Sequence, residues 1–162
     1  SKIENGYCVT VSDNCGDNFE FTSEIVINAS GLEAFNISSK IGLNDEDNRV
    51  YYWKGEYFSI GNGKGKLLSS LIYPVPNKNM TGLGIHATID LGNRVKLGPN
   101  AIFLNNNKLD YTVSSKNKKQ FYDSAVKFLP FLEFHDLNED QAGIRPKLQK
   151  PGDPARDFII RN

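Results

Sequence analysis

Little in this sequence can bind a metal ion. Its 162 residues hold two cysteines and two histidines. Neither pair shows the short CxxC or HxxxH spacing of a tetrahedral zinc site, so no metal is expected. Two cysteines make no secreted disulfide framework. Cys8 and Cys15 flank a short polar turn, where a bridge is one reading and two free thiols the favoured one. Neither sign of charge is in excess: 19 Lys and Arg balance 19 Asp and Glu. A zero net charge gives nucleic acid no electrostatic reason to bind. No apolar run approaches the roughly 18–20 residues that cross a bilayer, so no transmembrane segment is expected. The opening Ser1-Lys2-Ile3-Glu4-Asn5-Gly6 is polar, and no secretory leader is expected there. A cytoplasmic placement is expected, with peripheral membrane association as the alternative. Catalytic signatures are equally sparse: there is no G-x-S-x-G elbow and no nucleophile–base pair at diagnostic spacing.

What the sequence does have is strand pattern, most clearly over residues 72–104. Leu83, Ile85, Ala87 and Ile89 alternate with Gly84, His86, Thr88 and Asp90, the period of a half-buried strand. Leu91-Gly92-Asn93-Arg94 breaks the run. Val95 and Leu97 resume it, and Gly98-Pro99-Asn100 leads to a further extended piece at 101–104. A hairpin plus a third segment is expected, entered through Tyr73-Pro74-Val75-Pro76, whose prolines disfavour helix.

Around this centre, residues 6–22 read as a hairpin with its turn at 12–18. The apolar run 24–28 reads as a strand buried on both faces. Residues 32–43 have helical spacing, 44–48 form an acidic turn, and 50–60 an aromatic strand broken at Gly55. Gly61-Asn62-Gly63-Lys64-Gly65-Lys66 lacks the order of a P-loop and is expected to be a mobile surface loop. Gly82-Leu83-Gly84-Ile85-His86-Ala87 fits G-x-G-x-x-A but sits before a strand, which excludes a dinucleotide fingerprint. An edge strand is expected at 109–113, a cap at Ser114-Ser115, and a helix over 120–132 interrupted by Pro130. Residues 136–141 read as a hydrophilic link, 142–148 as extended, 149–156 as a loop and 157–160 as a last strand. The fold class is α+β, mainly antiparallel sheet with a few helices.

Three polar residues stand in apolar strand contexts: Tyr73, His86 and Arg145. A histidine there is either on a wet face, hydrogen-bonded in the core, or functional. Arg145 lies on extended backbone between Gly143 and Pro146, and its planar fork suits either a substrate carboxylate or a structural ion pair. Ala29-Ser30-Gly31, small residues after an apolar run, mark either a close ligand approach or a plain turn.

Taken in order, YPVP, LGIHATID, VKLGPNA, AGIRPKL and DFII resemble the FAD-dependent oxidoreductases of the D-amino-acid oxidase and glycine oxidase type, nearest to members that oxidise 2-hydroxy acids such as L-2-hydroxyglutarate. The resemblance runs from residue 24 almost to the end. It implies an FAD domain, with a substrate domain on a large antiparallel sheet. Residues 1–43 and 142–162 would then be partial FAD-domain segments and 44–141 the substrate-binding domain. It implies a cofactor-binding role for Ala29, Ser30 and Gly31, a carboxylate-binding role for Arg145, and a pocket wall carrying Tyr73 toward substrate and His86 as the catalytic candidate. The family's N-terminal G-x-G-x-x-G and its C-terminal glycine-rich return have no counterpart here. Lys54 stands where relatives often carry arginine, and Ala87 and Ile89 replace bulkier or charged residues. The chain is therefore expected to be the central piece of a longer enzyme. Its partners would be a small 2-hydroxy acid and the remaining FAD-domain segments, and FAD would not be retained by this piece alone. The alternatives are amino-acid or amine oxidation within the same superfamily, and a non-catalytic β-rich binding domain.

Overall fold

The computed structural model describes residues 1–75, 84–105, 108–154 and 156–157. The expected strand at 157–160 falls almost wholly outside the described residues, as does Leu83. Two antiparallel sheets and two short helices make an α+β fold. The first sheet is a meander of β1 (Lys2–Ile3), β2 (Gly6–Ser12) and β3 (Asn18–Ser23). The 6–22 hairpin forms as expected, with Tyr7 opposite Ser23 and Ser12 opposite Asn18. Its turn is organised by the Asp13 carboxylate, which accepts the N–H groups of Cys15 and Asp17 at 2.8 and 2.9 Å. Both cysteines are free thiols.

The run 24–28 is not a strand. It has no ladder partner among the described residues, and Ile27 is 85% exposed. An apolar run becomes a buried strand only where neighbouring strands satisfy its backbone. Here the chain passes instead into a helical turn at Gly31–Glu33 and α1 (Ala34–Lys40).

The second sheet is built on β4 (Tyr51–Ile60). It includes β5 (His86–Ile89), β6 (Val95–Gly98) and β7 (Ile102–Phe103). Helix α2 (Lys118–Ala125) follows, and the sheet is completed by β8 (Leu137–Lys147). β8 pairs along one edge of β4, from Tyr51 opposite Lys147 to Ile60 opposite Leu137. The other edge is shared by β6 and β7, and β5 hangs on β6 as the expected hairpin. Ile72 bridges to Ala87, docking the proline-rich entry onto β5.

Gly55 does not break β4. The strand runs through it opposite Gly143. A Cβ at Gly55 would stand 2.7 Å from Cβ of Pro99, so the glycine serves a close approach of the turn after β6. The expected link at 136–141 is the first half of β8. Its Asn138, Glu139 and Gln141 side chains are exposed, the polar dress of an edge strand rather than of a loop. The expected strand at 109–113 is absent. The Asp110 carboxylate accepts the N–H and hydroxyl of Thr112 at 3.0 and 2.7 Å, a local bond that competes with a ladder. Ser114 makes no side-chain cap, and the helix ends at Ala125, ahead of Pro130.

Alternation gives β4 two faces. Phe58 and Ile60 of its even-numbered face, with Leu97, Ala87 and Leu137, form a core beneath α2, where Phe58 meets Phe121 at 4.7 Å between ring centres. Each of these two rings is fully buried, a burial of about 1.5–3 kcal/mol apiece. The 61–66 loop is pinned rather than mobile. Lys64 Nζ binds Asp136 Oδ2 at 2.8 Å, Glu133 Oε1 at 3.2 Å and the Phe131 carbonyl at 3.1 Å.

Burial alone would push the Asp136 carboxyl up. Hydrogen bonds from Lys64, Asn62 and the Glu133 N–H outweigh it and hold the group at about 2, below its usual 3.8. A depressed carboxylate contributes stability that is present above the unfolded value and lost as pH falls through the folded one. Urea midpoints should therefore drop as pH is lowered from about 4 toward 2. Asp136→Asn should be less stable at pH 7 and show a shallower acid limb; an unchanged limb would remove Asp136 from this role.

Candidate active site

The odd-numbered face of β4 is open, and the predicted polar residues collect there. Arg145 on β8 is paired with Trp53, and Lys147 with Tyr51, so both cations project from the same face as the indole. Phe103 of β7 packs on Trp53 from the other edge, 5.4 Å between ring centres. Lys147 Nζ lies 4.9 Å above the Trp53 ring, a cation–π contact. The indole N–H donates to the Gln149 carbonyl at 2.9 Å, which fixes the ring. On β5, Ala87 points into the core, so the preceding His86 points the opposite way. A cavity of about 570 Å³ results, with Trp53, Tyr57, His86, Asn100, Arg145 and Lys147 in its wall.

His86 is held on two sides. Its Nδ1 is 3.0 Å from the Gly84 carbonyl. A carbonyl only accepts, so Nδ1 donates in this contact and Nε2 is the nitrogen left for a ligand. Tyr73 stacks on the imidazole at 4.5 Å and 24°, which restrains the ring plane. Tyr73 itself is half exposed and is not part of the cavity wall.

Arg145 is exposed, and among the described residues no carboxylate forms an ion pair with it. Burial pushes the Lys147 ammonium down, and the neighbouring Arg145 charge pushes it further the same way. The third cation in the cavity wall, Lys54, is spent internally. It binds Asp110 Oδ2 at 2.9 Å and Glu56 Oε1 at 3.3 Å. Burial opposes its charge, yet the Asp110 and Glu56 bonds raise it above its ordinary value. Lys54 holds the Asp110 carboxyl far below the carboxylate range.

Asn100, at the cavity wall, is locked to the buried Glu56. Its Oδ1 accepts the Glu56 N–H at 2.8 Å and its Nδ2 donates to Glu56 Oε2 at 3.1 Å.

Ala29, Ser30 and Gly31 are outside the cavity wall. They form a turn fastened by Asn28, whose Oδ1 accepts from the Ser30 hydroxyl at 2.7 Å and whose Nδ2 donates to the Ala34 carbonyl at 2.8 Å. Gly31 has φ +59 with open space where a Cβ would point. The Leu32 carbonyl accepts from the Tyr52 hydroxyl at 3.1 Å, tying the turn to β4. Ala29 and Gly31 are exposed in this turn and Ser30 is partly buried.

Sequence reasoning thus named His86 and Arg145 and missed Trp53, Asn100 and Lys147. Lys147 was legible as the i+2 neighbour of Arg145 on an extended segment. Trp53 and Asn100 come from distant elements, and only the strand register reveals them.

A family model described as FAD dependent oxidoreductase, DAO, matches residues 1–162. The mitochondrial L-2-hydroxyglutarate dehydrogenase of Arabidopsis thaliana is 32% identical over 154 residues, 88% of this chain and 31% of that protein. L-2-hydroxyglutarate dehydrogenase of Indibacter alkaliphilus is 28% identical over 174 residues, 87% of this chain and 44% of its own length. The chain thus spans about a third to under half of these relatives. Among solved structures, glycine oxidase from Geobacillus kaustophilus aligns with a TM-score of 0.59 at 24% identity, covering 85% of this chain and 33% of that one. Dithionite-reduced L-alpha-glycerophosphate oxidase from Mycoplasma pneumoniae, with FAD bound, aligns with a TM-score of 0.61 at 18% identity, covering 90% and 38%. At those identities the two structures show a shared fold.

Lys54 links the wall of the cavity to its foundation, which gives a direct test. Lys54→Met leaves Glu56 charged and buried without its cation. It should lower stability by about 3 kcal/mol or more, read as a shifted urea midpoint, while Lys54→Arg keeps most of it. Equal stability of Lys54→Met and the parent would show that hydrogen bonds from Asn100, Asn117 and Ser114 suffice.

Proposed function

This chain belongs to the DAO family of FAD-dependent oxidoreductases, and from that premise we propose that the full-length protein oxidises a 2-hydroxy acid of the 2-hydroxyglutarate kind to the 2-oxo acid. The observation that carries the reading is the meeting of His86 and Arg145 in one cavity, from strands that lie on opposite sides of β4. The relatives named L-2-hydroxyglutarate dehydrogenase support the substrate class.

Each residue then has a task. The Arg145 guanidinium receives the substrate carboxylate through two parallel N–H···O bonds, which orients the adjacent carbon. Nε2 of His86 accepts the hydroxyl proton as the alcohol becomes a carbonyl. The Gly84 carbonyl and the Tyr73 ring keep that nitrogen aimed. When bound, FAD would supply the two-electron acceptor for the hydrogen on that carbon, while the hydroxyl proton goes to His86. Ala29, Ser30 and Gly31 would lie along the cofactor. Trp53, backed by Phe103, and Tyr57 supply an apolar wall that strengthens the charged contacts beside them.

Four outcomes are expected. Flavin in the full-length protein should bleach under anaerobic 2-hydroxyglutarate and not under glycine, sarcosine or D-amino acids; bleaching by the amines alone overturns the hydroxy-acid reading. His86→Asn should slow flavin reduction by about 10²- to 10⁴-fold, and Arg145→Lys should raise KM by about 10- to 100-fold. The 162-residue chain purified alone should carry no stoichiometric flavin absorbance.

A further inference from the structure

Tyr57 brings to the cavity wall a hydroxyl that the described part of the protein leaves unused. It is the wall's one tyrosine among the described residues, and it is partly buried. A phenol drawn out of water usually finds a hydrogen-bond partner. Tyr52 on the same strand does so, donating to the Leu32 carbonyl at 3.1 Å. Among the described residues, none hydrogen-bonds to the Tyr57 hydroxyl. The backbone around this ring is shaped to it on both sides. Phe58 faces Leu97, so the residue of β6 beside Tyr57 is Gly98. Gly98 has φ +141, which favours glycine. A Cβ there would stand 2.8 Å from Cδ1 of Tyr57 and 2.7 Å from the Glu56 carbonyl oxygen. The ring thus leans into the space that a side chain at residue 98 would fill. Gly98 is in turn the ladder partner of His86. Tyr57, Gly98 and His86 form one row across three strands, on the face opposite the Phe58–Leu97–Ala87 core, with only a glycine between phenol and imidazole. On the other side of Tyr57 the register shifts. Glu56 faces Ala142 and Phe58 faces Glu139, so Asp140 and Gln141 together stand opposite Tyr57, an irregularity of the kind that re-aims a side chain. Arg145 lies in a different row, opposite Trp53. The row therefore allots the Tyr57 hydroxyl to the part of a ligand that His86 addresses.

We propose that Tyr57 is a further catalytic residue, whose hydroxyl donates a hydrogen bond to the oxygen on the reacting carbon while Nε2 of His86 takes that oxygen's proton. This rests on the hydroxy-acid reading for its substrate but makes a separate claim about one oxygen atom of the protein. The phenol keeps its own proton, and no covalent bond to it forms or breaks. As the hydroxyl proton passes to His86, negative charge gathers on the substrate oxygen. A donor already fixed there stabilises that charge more than it stabilises the starting alcohol.

The test uses Tyr57→Phe in the full-length flavin-loaded protein, a change that deletes the hydroxyl and keeps the ring over Gly98. Flavin reduction by 2-hydroxyglutarate should slow by about 10²-fold. Calorimetric titration with 2-oxoglutarate and glutarate, the same diacid with and without an oxygen on that carbon, separates a donor from a mere wall. In Tyr57→Phe the Kd of 2-oxoglutarate should rise by about 5- to 10-fold, while that of glutarate stays where it was. Reduction at the parent rate, or a rise of equal size in both Kd values, overturns the assignment. Oxidation of 2-hydroxyglutarate at one rate by parent and variant leaves the proposed reaction standing and removes Tyr57. A loss specific to 2-oxoglutarate in Tyr57→Phe, in a protein that oxidises no 2-hydroxy acid, removes the reaction and leaves the oxygen contact. Binding of neither diacid removes both.

Discussion

A single buried carboxylate holds the second sheet to everything around it. Glu56 sits in mid-strand on β4, fully out of water. Its two oxygens accept from Lys54, Asn100, Asn117 and the Ser114 N–H, and its own N–H is taken by Asn100. Those donors come from the turn after β6 and from the segment that leads into α2. An ionised carboxylate inside a protein is tolerated only with such a full complement of donors. The charge therefore dictates where three chain segments meet. The cavity inherits this order, since Lys54, Gly55 and Asn100 belong both to its wall and to the Glu56 network.

The sheet divides its labour by face. Even-numbered side chains of β4 and their neighbours pack beneath α2 around Phe58 and Phe121. Odd-numbered ones leave an open surface where Trp53 and Tyr57 stand beside His86, Arg145 and Lys147. The same division sorts the cations. Lys54, on the core face, needs buried anions and has them. Arg145 faces the cavity without an ion-pair partner among the described residues. An arginine in the first position would be structural, and a lysine in the second is available to a ligand's charge. Identity of residue type says nothing about which role applies; the face does.

Local signals were readable wherever the period of the side chains and the turn chemistry agreed. The 6–22 hairpin and the β5–β6 hairpin each combine alternation with Asx-type turns, at Asp13 and Asp90, and both form where expected. Errors arose where polarity was taken as a proxy for exposure or for irregular structure. Residues 24–28 look like a buried strand because they are apolar, yet no strand among the described residues pairs with them. Residues 136–141 look like a link because most are polar, yet from Leu137 on they belong to β8 and pair with β4. Lys64 looked like part of a free loop and is instead the cation of buried Asp136.

By itself the sequence determined the α+β character, the hairpins, the family resemblance and two members of the site, His86 and Arg145. These depend on patterns within about a dozen residues and on side-chain chemistry that travels with the residue. Only the tertiary structure decided that those two share a cavity, that Lys147 joins them over Trp53, and that Lys54, also at the wall, is bound by Asp110 and Glu56. Strand register sets these facts. A shift of one residue between β4 and β8 would take Arg145 off the face that carries Trp53, and nothing in the local sequence of either strand specifies that alignment alone. The buried Glu56 network and the close approach of Gly55 to Pro99 supply the missing specification, because each tolerates one arrangement of the surrounding segments.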